Sequence, residues 1–246
     1  MIKNFKSKAE FIDYAINDLG FENLQKNIYS PHIIEEREMN MITMSVFDRL
    51  MKDRIIWVTG VVDSVMADVV QAQLLYLDSV SDLEITMYLN TPGGSVSAGL
   101  SIIDTMDIIK SDIRTVNIGM CASMGSVLVG AGTKGKRQSL VNAEVMTHQV
   151  SYGVSGNVQD VRISQINAEK TNYLLFKRLS KYTEQPLEKI LKDSERDNWM
   201  NSDQSVAYGI IDEVVGINEN TPSITEQLDG FDEYYNKILD EQRNNK

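Results

Sequence analysis

The sequence predicts an α/β fold, because strand-like and helix-like segments alternate along the chain from Arg54 onward. Residues 55–59 consist entirely of β-branched and aromatic residues, which favours a strand. The next segment repeats apolar residues at helical spacing: Val65, Val69, Val70, Leu74 and Leu77. A second strand and helix follow within residues 85–106. Periodicity alone does not distinguish the possible α/β architectures.

Two tight junctions follow predicted strands. Residues 85–89 predict a strand that leads into Thr91-Pro92-Gly93-Gly94, and a helical apolar pattern resumes after this turn. Residues 114–120 predict another strand, which runs directly into Ala122-Ser123-Met124-Gly125 and a helix of small residues. Each junction therefore joins a strand to the helix that follows it.

Residues 157–182 predict a long helix. Its apolar positions include Val161, Ile166, Leu174 and Leu175. Polar and charged residues fill much of the rest, so we expect the helix to project from the core and to pack partly against a partner. A final strand is predicted at residues 210–215.

The two ends of the chain are predicted to be extensions of the main domain. Residues 1–28 predict a short amphipathic helix, which begins at the capping box Ser7-Lys8-Ala9-Glu10. This helix either packs on its own domain or serves as a removable or partner-docking arm. Residues 217–246 are acidic, and their apolar residues fit one helical face. The alternatives there are a docked helix and a mobile tail.

Composition excludes several classes of function. The 24 basic and 35 acidic residues among 246 give a net charge of −11, which opposes binding to nucleic acid or to anionic membrane surfaces. We find no apolar run of signal-peptide or transmembrane character. A single cysteine, Cys121, excludes an intramolecular disulfide and suits a reducing compartment, so the cytoplasm is the expected location.

The segment around Ser123 is the first candidate for chemistry. A serine between a strand and a helix benefits from the partial positive charge and the unpaired N–H groups of the helix N-terminus. Small neighbours also leave room for a substrate backbone. Taken alone, however, the pattern is more typical of an ordinary helix N-cap serine.

The Gly93-Gly94 pair is the second candidate. Adjacent glycines let the backbone turn sharply and present an N–H group to a ligand oxygen without a Cβ in the way. The simpler interpretation is an ordinary tight turn.

Histidine is scarce, so a histidine-dependent mechanism has only His32 and His148 to choose from. His32 follows Pro31 in a predicted loop, whereas His148 lies within the alternating segment at residues 144–149, which suits rigid positioning of the ring. A single strand histidine is nevertheless more often structural than catalytic. The carboxylates are too numerous to choose from by composition, and Glu195-Arg196-Asp197 by itself reads as a solvated charge run.

Taken together, the motifs resemble the Clp protease family of proteolytic subunits. Four segments agree in order and spacing: Thr91-Pro92-Gly93-Gly94, Met120-Cys121-Ala122-Ser123-Met124-Gly125, Met146-Thr147-His148-Gln149 and Ser194-Glu195-Arg196-Asp197. The likeness covers roughly residues 29–215, so we expect a peptidase domain at residues 29–216. One departure follows His148-Gln149, where the family usually has proline and this chain has Val150.

The resemblance implies a serine endopeptidase with the ClpP/crotonase-like fold of repeated β-β-α units and a protruding long helix. It makes Ser123 the nucleophile, His148 the general base and Asp197 the carboxylate that orients the histidine. The backbone N–H groups of Gly94 and Met124 are then the expected oxyanion hole.

The resemblance also implies an assembly. Similar proteins form two stacked heptameric rings whose active sites face an enclosed chamber, and an ATP-driven unfoldase of the AAA+ class feeds unfolded polypeptides into it. Glu195 and Arg196 match positions of ring-to-ring ion pairs, although an ordinary exposed pair is the alternative. Tyr88 and Ile108 are candidates for the unfoldase pocket, or else ordinary core positions. We expect no cofactor and no metal in this chain, since the partner uses the ATP.

Two other functions stay open at this point. A non-catalytic ring scaffold would keep the fold without the chemistry. A crotonase-type acyl-CoA enzyme would use paired backbone N–H groups to hold a thioester oxyanion, but it would not require the Ser/His/Asp set.

Overall fold

The computed structural model describes residues 32–37, 40–218 and 220–244. The chain divides into two units, Met1–Arg49 and Leu50–Lys246. In the first unit, strand β1 (His32–Arg37) pairs in antiparallel fashion with β2 (Asn40–Ser45). His32 was predicted in a loop, and this was wrong, because it is the first residue of β1. The extension at residues 1–28 lies outside the described residues, so its helix and its boundary stay predictions.

A mostly parallel sheet forms the centre of the second unit. Its strands are β3 (Ile55–Thr59), β4 (Ile85–Thr91), β5 (Ile113–Ala122), β6 (Arg137–Leu140), β7 (Glu144–Thr147), β8 (Asn198–Asn201) and β9 (Glu213–Val215). The order is β3-β4-β5-β6-β9, and every neighbouring pair on this path is parallel. The predicted α/β class is therefore confirmed, and the arrangement is consistent with the Clp protease fold.

Helices alternate with the strands along the chain. They are α1 (Val46–Lys52), α2 (Ser64–Val80), α3 (Val96–Ile108), α4 (Met124–Gly130), α5 (Val158–Thr183), α6 (Leu187–Asp193), α7 (Ser202–Tyr208), α8 (Ile224–Gln227) and α9 (Phe231–Asn244). Helix α2 begins where the Asp63 side chain accepts the N–H of Met66, and the Ser95 side chain caps α3 in the same way. Both helices bury an apolar stripe in the core.

Strand β5 is long enough to have two different neighbours on one side. Its first half pairs with β6, from Thr115 to Asn117. Its last three residues pair with β7 instead, so that Ala122 lies opposite Met146. Strand β8 then pairs with β7 in antiparallel fashion, with Asn198 opposite Thr147. The ends of three strands that are distant in sequence therefore meet at one point.

The long helix was predicted at residues 157–182 and is confirmed as α5. It begins where the Asn157 side chain accepts the N–H groups of Gln159 and Asp160. Its second half is packed against the core through Leu175, Phe176, Leu179 and Thr183. Its first half exposes apolar side chains, among them Val158 (66% exposed), Ile163 (66%) and Ile166 (53%).

The last strand of the sheet begins later than predicted. Residues 210–215 were assigned to it, but β9 starts at Glu213. Ile210 and Ile211 are buried, and their N–H groups donate to the Ser205 carbonyl at the end of α7 rather than to a neighbouring strand. Gly209 makes this possible, because its φ of +92° closes the helix in the left-handed conformation.

The C-terminal apolar face is divided between two helices, α8 and α9. Gly230, with φ of +81°, separates them. Helix α8 is docked on α7, since Asp203 accepts hydrogen bonds from the backbone and the hydroxyl of Thr225. Among the helices that the structure describes, none has both the length and the apolar character needed to cross a membrane.

A buried ion pair joins β6 to the connection between α7 and β9. The Arg137 side chain is 4% exposed, and its guanidinium makes two hydrogen bonds to the Asp212 carboxylate and a third, of 2.8 Å, to the Tyr182 carbonyl. The backbone N–H groups of Gly135 and Arg137 also donate to Asp212. Burial raises the pKa of the Asp212 carboxyl, but the hydrogen bonds and the charge of Arg137, together with the Gly135 N–H, hold that pKa below its ordinary value.

Candidate active site

Ser123, His148 and Asp197 meet where β5, β7 and β8 end. Ser123 is the first residue after β5, His148 the first after β7, and Asp197 the last before β8. The pairing of β5 with β7, and of β7 with β8, brings these three positions together. The structure thus unites three side chains that the sequence separates by as many as 74 positions.

A continuous chain of hydrogen bonds links the three side chains. The Nε2 atom of His148 lies 2.8 Å from the Ser123 Oγ, and its Nδ1 atom lies 3.0 Å from the Asp197 Oδ1. A carboxylate only accepts hydrogen bonds, so the proton of a neutral imidazole belongs on Nδ1. Nε2 is then the acceptor for the Ser123 hydroxyl, which is the arrangement that a general base requires.

Ser123 does not cap the helix that it precedes. Although it occupies the N-cap position of α4, its side chain makes no capping hydrogen bond. Its backbone has φ of 54° and ψ of −121°, a conformation rarely adopted by residues other than glycine. The structure therefore rules out the ordinary N-cap interpretation, since this strained turn presents the hydroxyl to His148 instead.

The glycine turn leaves one amide without an acceptor. The Gly93 N–H donates to the Thr91 Oγ1 at 3.0 Å, and the Ser95 N–H donates to the Val62 carbonyl at 2.7 Å. The Gly94 N–H has no acceptor in the part of the chain that the structure describes. A Cβ on Gly94 would lie 2.3 Å from the Val62 carbonyl oxygen, so no other residue fits without movement of the backbone.

The Met124 N–H also lacks an acceptor among the described residues. It is the first amide of α4, where no intrahelical partner is available. The preceding amide, that of Ser123, donates to the Met146 carbonyl at 2.9 Å, whereas that of Met124 has no acceptor among the described residues. Gly94 and Met124 line one pocket together with Ser123 and His148. Two residues whose N–H groups lack an acceptor in the described part of the chain therefore line the pocket that holds Ser123.

The rest of this pocket is mainly apolar. Its apolar lining includes Val96, Val127, Val150, Leu175, Phe176 and Leu179. Leu175, Phe176 and Leu179 belong to α5. From the sequence, this helix was predicted to project from the core. The spacing of residues 175, 176 and 179 was visible in the sequence, but it did not indicate which part of the fold this face would contact.

The segment after His148 is held from two sides. The Gln149 N–H donates to the Ser194 carbonyl at 2.9 Å, and its side-chain amide donates to the Glu195 carbonyl at 3.1 Å. The Val150 N–H donates to the Asn172 Oδ1, on α5, at 2.9 Å. Proline at position 150 could not make this last bond, because it has no N–H. Sequence reasoning identified neither Gln149 nor Asn172 as a site residue.

The remaining predicted residues lie outside the cluster. Glu195 and Arg196 are exposed in the turn that precedes Asp197. Tyr88 lies on β4, where its half-buried ring stacks on Trp57 with 5.2 Å between the ring centroids. Ile108, the last residue of α3, is 74% exposed, so it is not a core position.

Comparisons with known proteins identify the family of this chain. The family model described as Clp protease matches residues 37–218. The proteolytic subunit of ATP-dependent Clp protease from Porphyromonas gingivalis is 43% identical over 215 residues, which are 84% of this chain and 97% of that protein. The subunit of the same name from Streptococcus salivarius is 46% identical over 192 residues, or 77% of this chain and 98% of that protein. That from Bacteroides fragilis is 42% identical over 215 residues.

The family match spans well over half of the chain, and it includes every residue of the hydrogen-bonded cluster. This chain therefore belongs to the Clp protease family.

Proposed function

We propose that Ser123, His148 and Asp197 are the nucleophile, the general base and the orienting carboxylate of this serine endopeptidase. The observation that carries the proposal is the unbroken series of hydrogen bonds from the Ser123 hydroxyl through His148 to Asp197. A serine hydroxyl is a poor nucleophile at neutral pH until a neighbouring imidazole removes its proton.

The three groups have different roles in the reaction. The Ser123 Oγ attacks the carbonyl carbon of the scissile peptide bond while its proton moves to the His148 Nε2. Asp197 accepts the hydrogen bond of Nδ1–H and stabilises the imidazolium that forms. His148 then gives the proton to the leaving amine, and a water molecule, activated by the same imidazole, hydrolyses the acyl-enzyme to release the carboxylic acid and restore the serine.

The oxyanion of the tetrahedral intermediate belongs beside Gly94 and Met124. Their N–H groups border the pocket and have no other acceptor in the described part of the chain. Donors that are already oriented need no rearrangement when charge develops on the carbonyl oxygen, and one such donor contributes about 3 to 4 kcal/mol.

The first test is labelling of the assembled protein with a fluorophosphonate, read by native mass spectrometry and peptide mapping. We expect the reagent to modify Ser123 in the wild type and to leave the His148→Ala variant essentially unmodified. Ser126 is a matched internal control, because it lines the same pocket but its hydroxyl donates to the Ser123 carbonyl. Absence of the label from Ser123, under conditions that label an active serine peptidase, would contradict the proposal.

The two alternatives are not favoured. A non-catalytic scaffold would not need the strained serine or the complete chain of hydrogen bonds. A crotonase-type acyl-CoA enzyme is less consistent with the relatives, which are named as proteolytic subunits. Turnover of a CoA thioester that survives Ser123→Ala would revive that second alternative.

We also propose that the chain acts as a homo-oligomer of two stacked heptameric rings in the cytoplasm, supplied with unfolded polypeptides by an ATP-driven unfoldase. The names of the relatives, which specify an ATP-dependent protease, support the unfoldase. The exposed apolar residues on the first half of α5 support an assembly that covers them. Glu195 and Arg196 are exposed and available for contacts between rings. The exposed Ile108 and the half-buried Tyr88 are our candidates for contact with the unfoldase. The native mass spectrum also tests the ring stoichiometry.

The apolar pocket predicts which side chain the enzyme prefers next to the cleaved bond. We infer that a substrate carbonyl beside Ser123 places its own side chain in this pocket, whose lining includes Leu175, Phe176 and Leu179. We expect peptides with leucine at this position to have kcat/KM about 100-fold higher than matched peptides with aspartate, because those apolar side chains offer a carboxylate no partner. An asparagine peptide is the neutral control and should fall between them. Equal turnover of the leucine and aspartate peptides would contradict this assignment of the pocket.

A further inference from the structure

Asp197 depends on its own turn for its position. Its side chain is 60% exposed, against 23% for His148. Within the part of the chain that the structure describes, its carboxylate has one hydrogen bond, the one to His148. The place of the carboxylate is therefore set by the backbone of residues 194–197 rather than by a cage of donors.

Gln149 holds this turn through two successive carbonyl groups. Its backbone N–H donates to the Ser194 carbonyl, and its side-chain Nε2 donates to the Glu195 carbonyl. Because Gln149 directly follows His148 in the chain, it ties the backbone of the histidine to the turn that carries Asp197. Thr147 provides two further anchors: it pairs with Asn198 on the other side of Asp197, and its Oγ1 accepts a hydrogen bond of 3.3 Å from the Ser194 hydroxyl.

We propose that Gln149 is a positioning residue that keeps Asp197 within hydrogen-bonding distance of His148. The inference rests on the proposed function of the triad. Without the side-chain bond, the turn keeps its anchor in β8 but loses a restraint on the residue two positions before Asp197. The carboxylate then spends less time on Nδ1, the imidazole is less often in the required tautomer and orientation, and proton removal from Ser123 slows.

The test compares rates of Ser123 labelling by the fluorophosphonate. Gln149→Met keeps a side chain of similar length but removes the N–H donor. We expect labelling to be about tenfold slower, which corresponds to about 1.4 kcal/mol and is the size of one hydrogen bond. Gln138→Met is the matched control, because Gln138 also uses its Nε2 for an exposed hydrogen bond, at 3.0 Å to Glu213, on the distant strand β6. This control should be labelled at the wild-type rate.

A double-variant cycle separates positioning of Asp197 from a general structural effect. In the Asp197→Ala background, Gln149→Met should slow labelling by less than about twofold, because the group that it positions is absent. Wild-type labelling of Gln149→Met would overturn the inference, as would a tenfold slowing that persists in the Asp197→Ala background. If Gln149→Met does not assemble, Gln149→Glu replaces it in the same double-variant cycle. Its carboxylate cannot donate a hydrogen bond to the Glu195 carbonyl, so the same labelling rates are expected and the same results would overturn the inference. Failure of the proposed function gives a different result, an unlabelled wild type.

Discussion

Replacing Ser123 by alanine is expected to reduce peptide cleavage by at least about 10⁴-fold while leaving the folded assembly intact. The loss follows from removal of the attacking oxygen, and triads of this type lose nearly all of their rate when the nucleophile is removed. Stability should change little, because the Ser123 side chain does not cap α4. The measurement is kcat/KM on a fluorogenic peptide, with the oligomer mass and the thermal midpoint determined for the same samples.

The other members of the triad supply graded controls. His148→Ala should lose about as much activity as Ser123→Ala, and Asp197→Ala somewhat less, because the carboxylate orients the base without reacting itself. All three variants should retain assembly better than activity. Wild-type peptide turnover in any one of them would reject the role assigned to that residue, and uniform loss of assembly would point to a structural role instead.

Replacing Asp212 by alanine is expected to lower the free energy of unfolding by about 3 to 5 kcal/mol. The substitution leaves the Arg137 guanidinium buried without its carboxylate, and an unpaired buried charge is costly. It also removes the acceptor of the Gly135 and Arg137 backbone N–H groups. Urea denaturation at matched protein concentration measures the difference.

The exposed pair of Lys134 and Glu184 provides the control for this measurement. Both side chains are about 70% exposed, so Lys134→Met should cost less than about 1 kcal/mol. The pH dependence of the free energy of unfolding provides a second check. The pKa of Asp212 is lowered in the folded state, so the stability that it contributes is fully present above its ordinary value of 3.8 and is lost as the pH falls through its folded-state value. An Asp212→Ala variant as stable as Lys134→Met at neutral pH would contradict the assigned role of the buried pair.

Gly94 shows what the sequence and the structure each contribute to the proposal of an oxyanion hole. A pair of glycines after a strand was visible in the sequence, and it was equally consistent with a simple turn. The hydrogen bonds of the neighbouring amides favour the proposed oxyanion role, because they use the N–H groups of Gly93 and Ser95, whereas that of Gly94 has no acceptor among the residues that the structure describes.

Local patterns determined much of the fold. The strand at residues 55–59, the long helix and the junctions that contain Gly94 and Ser123 follow from periodicity, β-propensity and glycine content, all of which act between residues close in the chain. The late start of β9 did not follow, because Ile210 and Ile211 have the composition of a strand but are used to close a helix.

What the sequence by itself determined is therefore the kind of elements and, through the spacing of several motifs, the family. Only the tertiary structure decided which side chains meet: that β5 changes partner from β6 to β7, that β8 places Asp197 beside His148, and that Gln149 and the buried face of α5 complete the site. The physical reason is that helix and strand preferences arise from neighbouring residues. The register between strands is instead set by contacts between segments tens of residues apart.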